Sequence, residues 1–250
     1  MSEPIRIAVV VEGPTDFVVI TAAIASLLKG QDFEPTMVQP EFSESFETIG
    51  GATGLGWPGV YRWSQQAASE GQGHLRNSIL FTFHDLLVLQ LDADVAEKSY
   101  KSGHIIETET DLPCEQPCPP ASATTDALRK VVLRWLGESA LPPHFVFCTP
   151  SKSIEAWVIA ALFPDNKTMA KKGWECHSEP EGQFKQLPKK QRIEKTRKDY
   201  EAKKAELESS WPAVCKKLTE AARFSNDFLA ELQAQGCLDA KTPSEGNSNR

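Results

Sequence analysis

A nearly unbroken apolar run at positions 86–91 (LLVLQL) ends in two carboxylates, Asp92 and Asp94. A run of this length predicts a strand buried on both faces, of the type found inside parallel sheets, where functional sites lie just beyond the carboxyl ends of strands. Residues i and i+2 of an extended chain point to the same side, so both carboxylates can face one point. Two close anions need a proton or a cation between them, and hard oxygen ligands favour Mg²⁺ or Mn²⁺. A solvated turn is the alternative interpretation of so short a motif.

A second buried strand is predicted at residues 5–11 (IRIAVVV), which lead directly into Glu12. Gly13 and Pro14 form a tight exit, and a helix follows with Asp16 in its first turn. For Asp16, a favourable interaction with the helix dipole is the alternative explanation. A carboxylate that ends a fully apolar strand, as Glu12 does, points instead to a functional site.

A third strand is predicted at residues 144–148 (HFVFC), followed by a polar turn with Ser153 and by a helix with Glu155 at its start. The helix dipole is again the alternative explanation for the glutamate. Strands that alternate with helices predict an α/β fold with a mostly parallel sheet flanked by helices.

The chain divides into three predicted parts. Residues 1–165 form the α/β metal-binding domain, residues 166–240 form a basic helical extension that packs on it, and residues 241–250 form a disordered tail. The net charge is −7, yet residues 185–204 hold nine Lys or Arg against three Asp or Glu, a local balance of +6 that leaves −13 for the remainder. Such a basic stretch is compatible with phosphate binding, and a solvated helix face is the alternative.

The amino-terminal residues lack a basic leader region, and no apolar run approaches the roughly 20 residues that a membrane span requires. We therefore expect a cytoplasmic protein without membrane contact. The six cysteines lack the spacing of a disulfide framework, so we expect free thiols. The alternative is a zinc site, with Cys114 and Cys118 as one half and Cys176 and His177 as the other.

Three strand ends thus deliver carboxylates, and parallel strands would bring them to one edge of the sheet. This arrangement resembles the Toprim fold, the metal-binding α/β domain of topoisomerases, primases and a group of nucleases. The family's signature is a glutamate after the first strand and Asp-x-Asp after a later one. The finer pattern is similar to nucleases of the overcoming-lysogenization-defect type and to small Toprim-like proteins of bacterial phage-defence loci. Their motifs Glu-x₃-Asp/Glu, Asp-x-Asp and Ser-x-Glu match Glu12 with Asp16, Asp92 with Asp94, and Ser153 with Glu155.

The resemblance implies a nuclease that uses Mg²⁺ or Mn²⁺ to hydrolyse DNA or RNA. Asp92 and Asp94 would bind one metal ion, Glu12 would bridge or act as a base, and Asp16 and Glu155 would bind a second ion. Ser153 would orient a ligand or a water molecule. The family also has a downstream lysine, for which Lys198 is the candidate among several. The nucleic-acid contacts would come from the basic stretch, through Lys189, Lys190, Arg192, Lys195 and Arg197.

The chain departs from these nucleases because it lacks the ATPase motif Gly-x₄-Gly-Lys-Ser/Thr that they carry. A separate ATPase or sensor is therefore the expected protein partner, and the effector of an anti-phage defence system is the expected role. The three tyrosines have no accompanying domain of the kind that would make one of them a topoisomerase nucleophile. Two alternatives remain: a non-catalytic module that binds nucleic acid or a protein partner, and a phosphatase or nucleotide hydrolase.

Overall fold

The computed structural model describes residues 3–41, 53–187 and 192–238, and this part of the chain has an α/β fold. Its sheet has four strands, all parallel, in the order β2-β1-β3-β4. The strands are β1 (Ile5–Val10), β2 (Phe33–Gln39), β3 (Leu86–Gln90) and β4 (Phe145–Cys148). The predicted fold class, a parallel sheet flanked by helices, is confirmed.

The described residues form ten α-helices and three short 3₁₀ helices. The α-helices are α1 (Pro14–Leu28), α2 (Gly56–Glu70), α3 (Leu80–Phe83), α4 (Ala121–Trp135), α5 (Glu155–Leu162), α6 (Lys167–Lys172), α7 (Gly182–Gln186), α8 (Arg197–Glu201), α9 (Lys204–Lys217) and α10 (Thr219–Ala234). The 3₁₀ helices are Leu75–Asn77, Ala93–Glu97 and Tyr100–Gly103.

Strands β3 and β4 are buried on both faces, as the apolar runs predict, β1 is buried except at Arg6, and the edge strand β2 is partly exposed. Successive side chains of a strand point to opposite faces, so each strand contributes to two separate cores. One core lies between the sheet and helices α1, α5, α9 and α10, and the other lies between the sheet and helices α2 and α4. Val9, Val88 and Val146 belong to the first core, and Ala8, Leu89 and Phe147 belong to the second.

The carboxyl-terminal helices pack on the α/β domain. Helix α9 contacts α1 and α5, and helix α10 contacts β4 and α4. The indole of Trp211 meets that of Trp157 at a centroid distance of 5.3 Å, and Phe224 stacks on Trp157 at 6.3 Å. The predicted extension is therefore joined to the domain by a shared aromatic core. The predicted disordered tail, residues 241–250, lies outside the described residues.

The basic stretch is less regular than the predicted helical extension. Residues 192–196 follow an irregular path between α7 and α8, and Thr196 caps α8 by accepting a hydrogen bond from the Asp199 backbone N–H at 3.2 Å. This irregular segment places a lysine against α5, as described below. None of the helices in the described ranges combines the length and apolar character that crossing a membrane requires.

The expectation of free thiols is wrong for two of the six cysteines. Cys118 and Cys176 form a disulfide with a Cα–Cα distance of 5.6 Å, whereas Cys114, Cys148, Cys215 and Cys237 are free. The bond joins the loop before α4 to the loop after α6, two segments far apart in the chain, so sequence spacing gave no sign of it. Because these two sulfurs are bonded to each other, they are not available as the thiolate ligands of the alternative zinc site.

Candidate functional site

Glu12 and Asp92 lie side by side at the carboxyl edge of the sheet. Strands β1 and β3 are paired in register, with Val10 opposite Leu89. Glu12 follows Val10 by two residues, and Asp92 follows Leu89 by three. The Asp92 backbone N–H donates a hydrogen bond to Glu12 Oε1 at 2.8 Å. The structure thus brings together the ends of two strands that are 80 residues apart in the chain.

Gln90, the last residue of β3, holds both carboxylate-bearing segments. Its Oε1 accepts a hydrogen bond from the Glu12 backbone N–H at 3.2 Å, and its Nε2 donates to Asp92 Oδ1 at 2.8 Å. The same Asp92 oxygen accepts from the Ile154 backbone N–H at 3.1 Å, which ties it to the turn after β4. The Asp92 carboxylate is therefore held by hydrogen bonds from the end of β3 and from the turn after β4.

Asp16 and Glu155 lie at the starts of helices α1 and α5. Asp16 is 6 % exposed and Glu155 is fully buried. Glu155 Oε1 lies 2.8 Å from the Lys195 ammonium nitrogen. Its other oxygen, Oε2, and the buried Ser153 hydroxyl have no hydrogen-bond partner in the described part of the chain. We call Glu12, Asp16, Asp92, Asp94 and Glu155 the acidic cluster.

Burial and mutual repulsion make the acidic cluster hold protons more tightly than ordinary carboxylates do. Burial, and then the charge of Asp16, raise the pKa of Glu12 to about 8. Burial and the charge of Glu155 raise the pKa of Asp16 to about 7. Burial and the charges of Glu12, Asp16 and Glu155 hold the pKa of Asp92 well above its usual range. At neutral pH the cluster therefore favours a proton or a cation.

Asp94 lies at the solvent side of the acidic cluster. Its side chain is 41 % exposed and forms an ion pair with Lys98 at 3.3 Å. Burial raises the pKa of Asp94, and Lys98 partly offsets the increase. The Asp94 backbone N–H donates to the Lys152 carbonyl at 3.0 Å. Asp94 also borders an open cleft whose other lining residues include Lys152, Ser153, Ser178, Glu181 and Lys185.

Of the predicted basic residues that lie in the described ranges, Lys195 is the one with an ion pair to the acidic cluster, at Glu155. Its ammonium also lies 3.6 Å from Glu181. Burial lowers the pKa of Lys195, but Glu155, Glu181 and Asp16 together raise it above its ordinary value. Lys198, the candidate catalytic lysine, is exposed on α8.

The other predicted nucleic-acid contacts are exposed or lie outside the described residues. Arg192 is exposed, and its Nε donates to the Leu187 carbonyl at 3.0 Å. Arg197 is exposed and pairs with Glu201 at 3.9 Å. Lys189 and Lys190 lie outside the described residues.

Two site residues were missed by sequence reasoning. Tyr200 of α8 is 1 % exposed, and its hydroxyl has no hydrogen-bond partner in the described ranges. Burial first, and then the charges of Glu155 and Asp16, raise the pKa of Tyr200 far above its usual range. Gln90 is the second, and it left a signal, since it is the one polar residue in the apolar run that precedes Asp92. Nothing in the sequence distinguished Tyr200.

The chemistry of the acidic cluster fits a hard divalent cation. All the side-chain atoms that could bind a metal here are oxygens, Asp16 and Glu155 are buried while the other three carboxylates are partly buried, and Glu155 Oε2 accepts no hydrogen bond in the described ranges. The side chains as placed do not complete a coordination shell: no three His, Cys, Asp or Glu side chains among the described residues converge closely enough to hold a metal ion. The Glu12 carboxylate faces the Asp92 amide instead.

Comparisons with protein-family models, with curated proteins and with solved structures gave no match to this chain.

Proposed function

We propose that this protein is a nuclease that uses Mg²⁺ or Mn²⁺ to hydrolyse phosphodiester bonds. The acidic cluster is the observation that supports the proposal. Five carboxylates lie near one another at the carboxyl edge of a parallel sheet, burial raises the pKa of four of them, and they outnumber the cations beside them. The order of the motifs along the chain resembles that of the Toprim nucleases. For this reason we propose phosphodiester hydrolysis rather than another metal-dependent reaction.

Glu12, Asp92 and Asp94 would hold the divalent ion. When bound, the ion supplies positive charge to the phosphate and a more acidic water molecule. The protein's own residues prepare the site. Gln90 fixes Asp92 and the Glu12 backbone, so that two ligands are oriented in advance. The Lys195 ammonium lies beside Glu155 and would offset negative charge that develops on a phosphate bound near it.

The open cleft beside Asp94 would receive the nucleic acid. Lys185 borders the cleft, so a phosphate in it would meet an ammonium group. Lys152, although it lies in the same wall, pairs with Glu97 at 2.6 Å and with Glu115 at 2.7 Å. Lys152 would therefore stabilise the wall of the cleft rather than contact the substrate.

The biological setting of the proposal is anti-phage defence together with a separate ATPase or sensor. It rests on the resemblance stated above. An ATPase gene beside the gene for this protein would support it.

The test is to incubate the purified protein with plasmid DNA, single-stranded DNA and tRNA, in Mg²⁺, in Mn²⁺ and in EDTA. We expect cleavage that requires the metal and falls by about 100-fold or more in Glu12→Gln and Asp92→Asn. Asp165→Asn, at an exposed carboxylate after α5, is the matched control and should cleave as the wild type does. Free nucleotides in the same assay test for a nucleotide hydrolase.

A wild-type protein that cleaves no substrate, even with the product of the neighbouring gene present, would contradict the proposal. The non-catalytic module that binds nucleic acid or a protein partner would then be favoured. Circular dichroism of each variant establishes that lost cleavage does not reflect lost structure.

A further inference from the structure

A disulfide holds the loop that borders the cleft beside Asp94. Cys118 belongs to the loop before α4, and Cys176 belongs to the loop after α6. The residues that follow Cys176 line this cleft, namely Ser178, Glu179, Pro180 and Glu181. We call residues 176–181 the cleft loop. The disulfide therefore lies next to the candidate site, although the chemistry proposed above makes no use of it.

The partner loop before α4 is attached to the α/β domain beside Asp94. The Glu115 backbone N–H donates to the Ala96 carbonyl at 3.0 Å, in the 3₁₀ helix that carries Asp94. The Glu115 carboxylate also pairs with Lys152 at 2.7 Å. Cys118 is thus held near the site whether or not it is bonded to Cys176.

The cleft loop has weaker attachments of its own. Just before it, the Glu175 carboxylate accepts two hydrogen bonds from the start of α10, at 2.7 and 2.8 Å. The hydrogen bonds that the cleft loop forms in the described ranges stay within residues 173–184. Glu181 pairs with Lys195 at 3.6 Å, and both side chains are partly exposed. The disulfide is therefore the strongest link between the cleft loop and the α/β domain.

A reductant can reach this bond. Cys118 and Cys176 are half-buried, and both line an open pocket of about 510 Å³ whose wall also includes Lys152 and Ser178. Disulfides that solvent reaches are the ones that thiols reduce readily. The thiolate of a dithiol attacks one sulfur, and its second thiol then displaces the mixed disulfide. Each cysteine ends as a thiol, and the dithiol is oxidised to a cyclic disulfide.

We propose that the Cys118–Cys176 disulfide is a redox switch for the cleft beside Asp94. The oxidised protein holds the cleft loop in place, and reduction by a dithiol releases the loop and lowers cleavage. Reduction restores conformational freedom to the cleft loop, because it removes a covalent cross-link. Glu175 and the loop before α4 keep their own contacts, so the change is confined to the lining of the cleft. The effect on cleavage rests on the proposed function, whereas the release of the loop does not.

Thiol counting and hydrogen exchange test the switch directly. Protein purified without reductant and then denatured should show four free thiols, and the reduced protein should show six. We expect reduction to speed amide exchange in residues 176–187 by about 10-fold or more, and to leave strands β1 and β3 unchanged. Cys114→Ser, at a half-buried free cysteine, is the matched control and should respond to the reductant as the wild type does.

The double variant Cys118→Ser and Cys176→Ser should exchange as the reduced wild type does and should not respond to the reductant. Cleavage is then measured in Mg²⁺ for both forms of the wild type and for the double variant. We expect the oxidised wild type to cleave about 10-fold or more faster than the reduced wild type and the double variant.

Six free thiols before reduction would overturn the switch, and so would equal exchange in residues 176–187 of the two forms. Equal cleavage by the oxidised and reduced proteins would also overturn it. If neither form cleaves, the proposed function fails, and the thiol count and the exchange rates still decide whether the disulfide holds the cleft loop. The wild-type measurements suffice even if the double variant does not fold.

Discussion

The acidic cluster should make the metal-free protein less stable as the pH rises, and Asp16→Asn should remove part of that dependence. Asp16 is 6 % exposed, and burial with the charge of Glu155 raises its pKa from 3.8 to about 7. Between about pH 4 and about pH 7, the folded protein therefore holds a proton at Asp16 that the unfolded chain has released. The contribution to stability is present below about pH 4 and is lost as the pH rises to about pH 7.

The size of the effect follows from the pKa difference. The pKa of Asp16 differs by about three between the unfolded and folded states, and a difference of one corresponds to about 1.4 kcal/mol. Asp16 can therefore change the free energy of unfolding by at most about 4 kcal/mol. Of this, about 2–3 kcal/mol is lost between about pH 5 and about pH 8, and relaxation of the neighbouring carboxylates reduces it further. Asp16→Asn keeps the shape of the side chain and has no proton to lose. The variant should therefore gain stability relative to the wild type, and should gain more at the higher pH.

Urea unfolding in EDTA, followed by circular dichroism at several pH values, measures this dependence. Asp165→Asn is the control, because Asp165 is exposed and its removal should leave the slope of stability against pH unchanged. If Asp16→Asn and the wild type lose stability with pH at the same rate, Asp16 does not carry a raised pKa. The electrostatic description of the acidic cluster would then be refuted.

Two further predictions concern what supports the site. Gln90→Leu removes the hydrogen bonds to Asp92 Oδ1 and from the Glu12 N–H, so Mn²⁺ affinity should fall about 10- to 100-fold, measured by calorimetry. Unchanged affinity would mean that Gln90 does not position the ligands. The double variant Cys118→Ser and Cys176→Ser should lower the free energy of unfolding by about 4 kcal/mol, since the disulfide closes a loop with a sequence separation of 58. A loss below about 1 kcal/mol in urea unfolding would contradict this estimate.

The strands and their carboxylates were predictable because both depend on local sequence. A buried parallel strand must be apolar on both faces, so β1, β3 and β4 are visible as apolar runs. The residue after such a run lies at the carboxyl edge wherever the strand sits in the sheet. The proximity of Glu12 to Asp92 then requires only that β1 and β3 be neighbours.

The choice of lysine was not predictable because it depends on the path of an irregular segment. Lys195 and Lys198 are three residues apart in a stretch where every candidate is equally basic. Two long-range contacts hold the segment that precedes this stretch. The disulfide fixes Cys176, and the neighbouring Glu175 carboxylate accepts hydrogen bonds from Thr219 and from the Glu220 backbone N–H at the start of α10. Neither contact leaves a pattern in the local sequence.

These contacts also bear on the predicted division at residue 165. Trp157 of the α/β domain is 1 % exposed because Trp211 and Phe224 of the extension cover it. Burying a side chain of this size contributes a few kcal/mol, so the domain without the extension would expose a large apolar surface. The same extension brings Lys195 and Tyr200 to the acidic cluster. The aromatic core and the acidic cluster therefore both draw residues from the α/β domain and from the extension that packs on it.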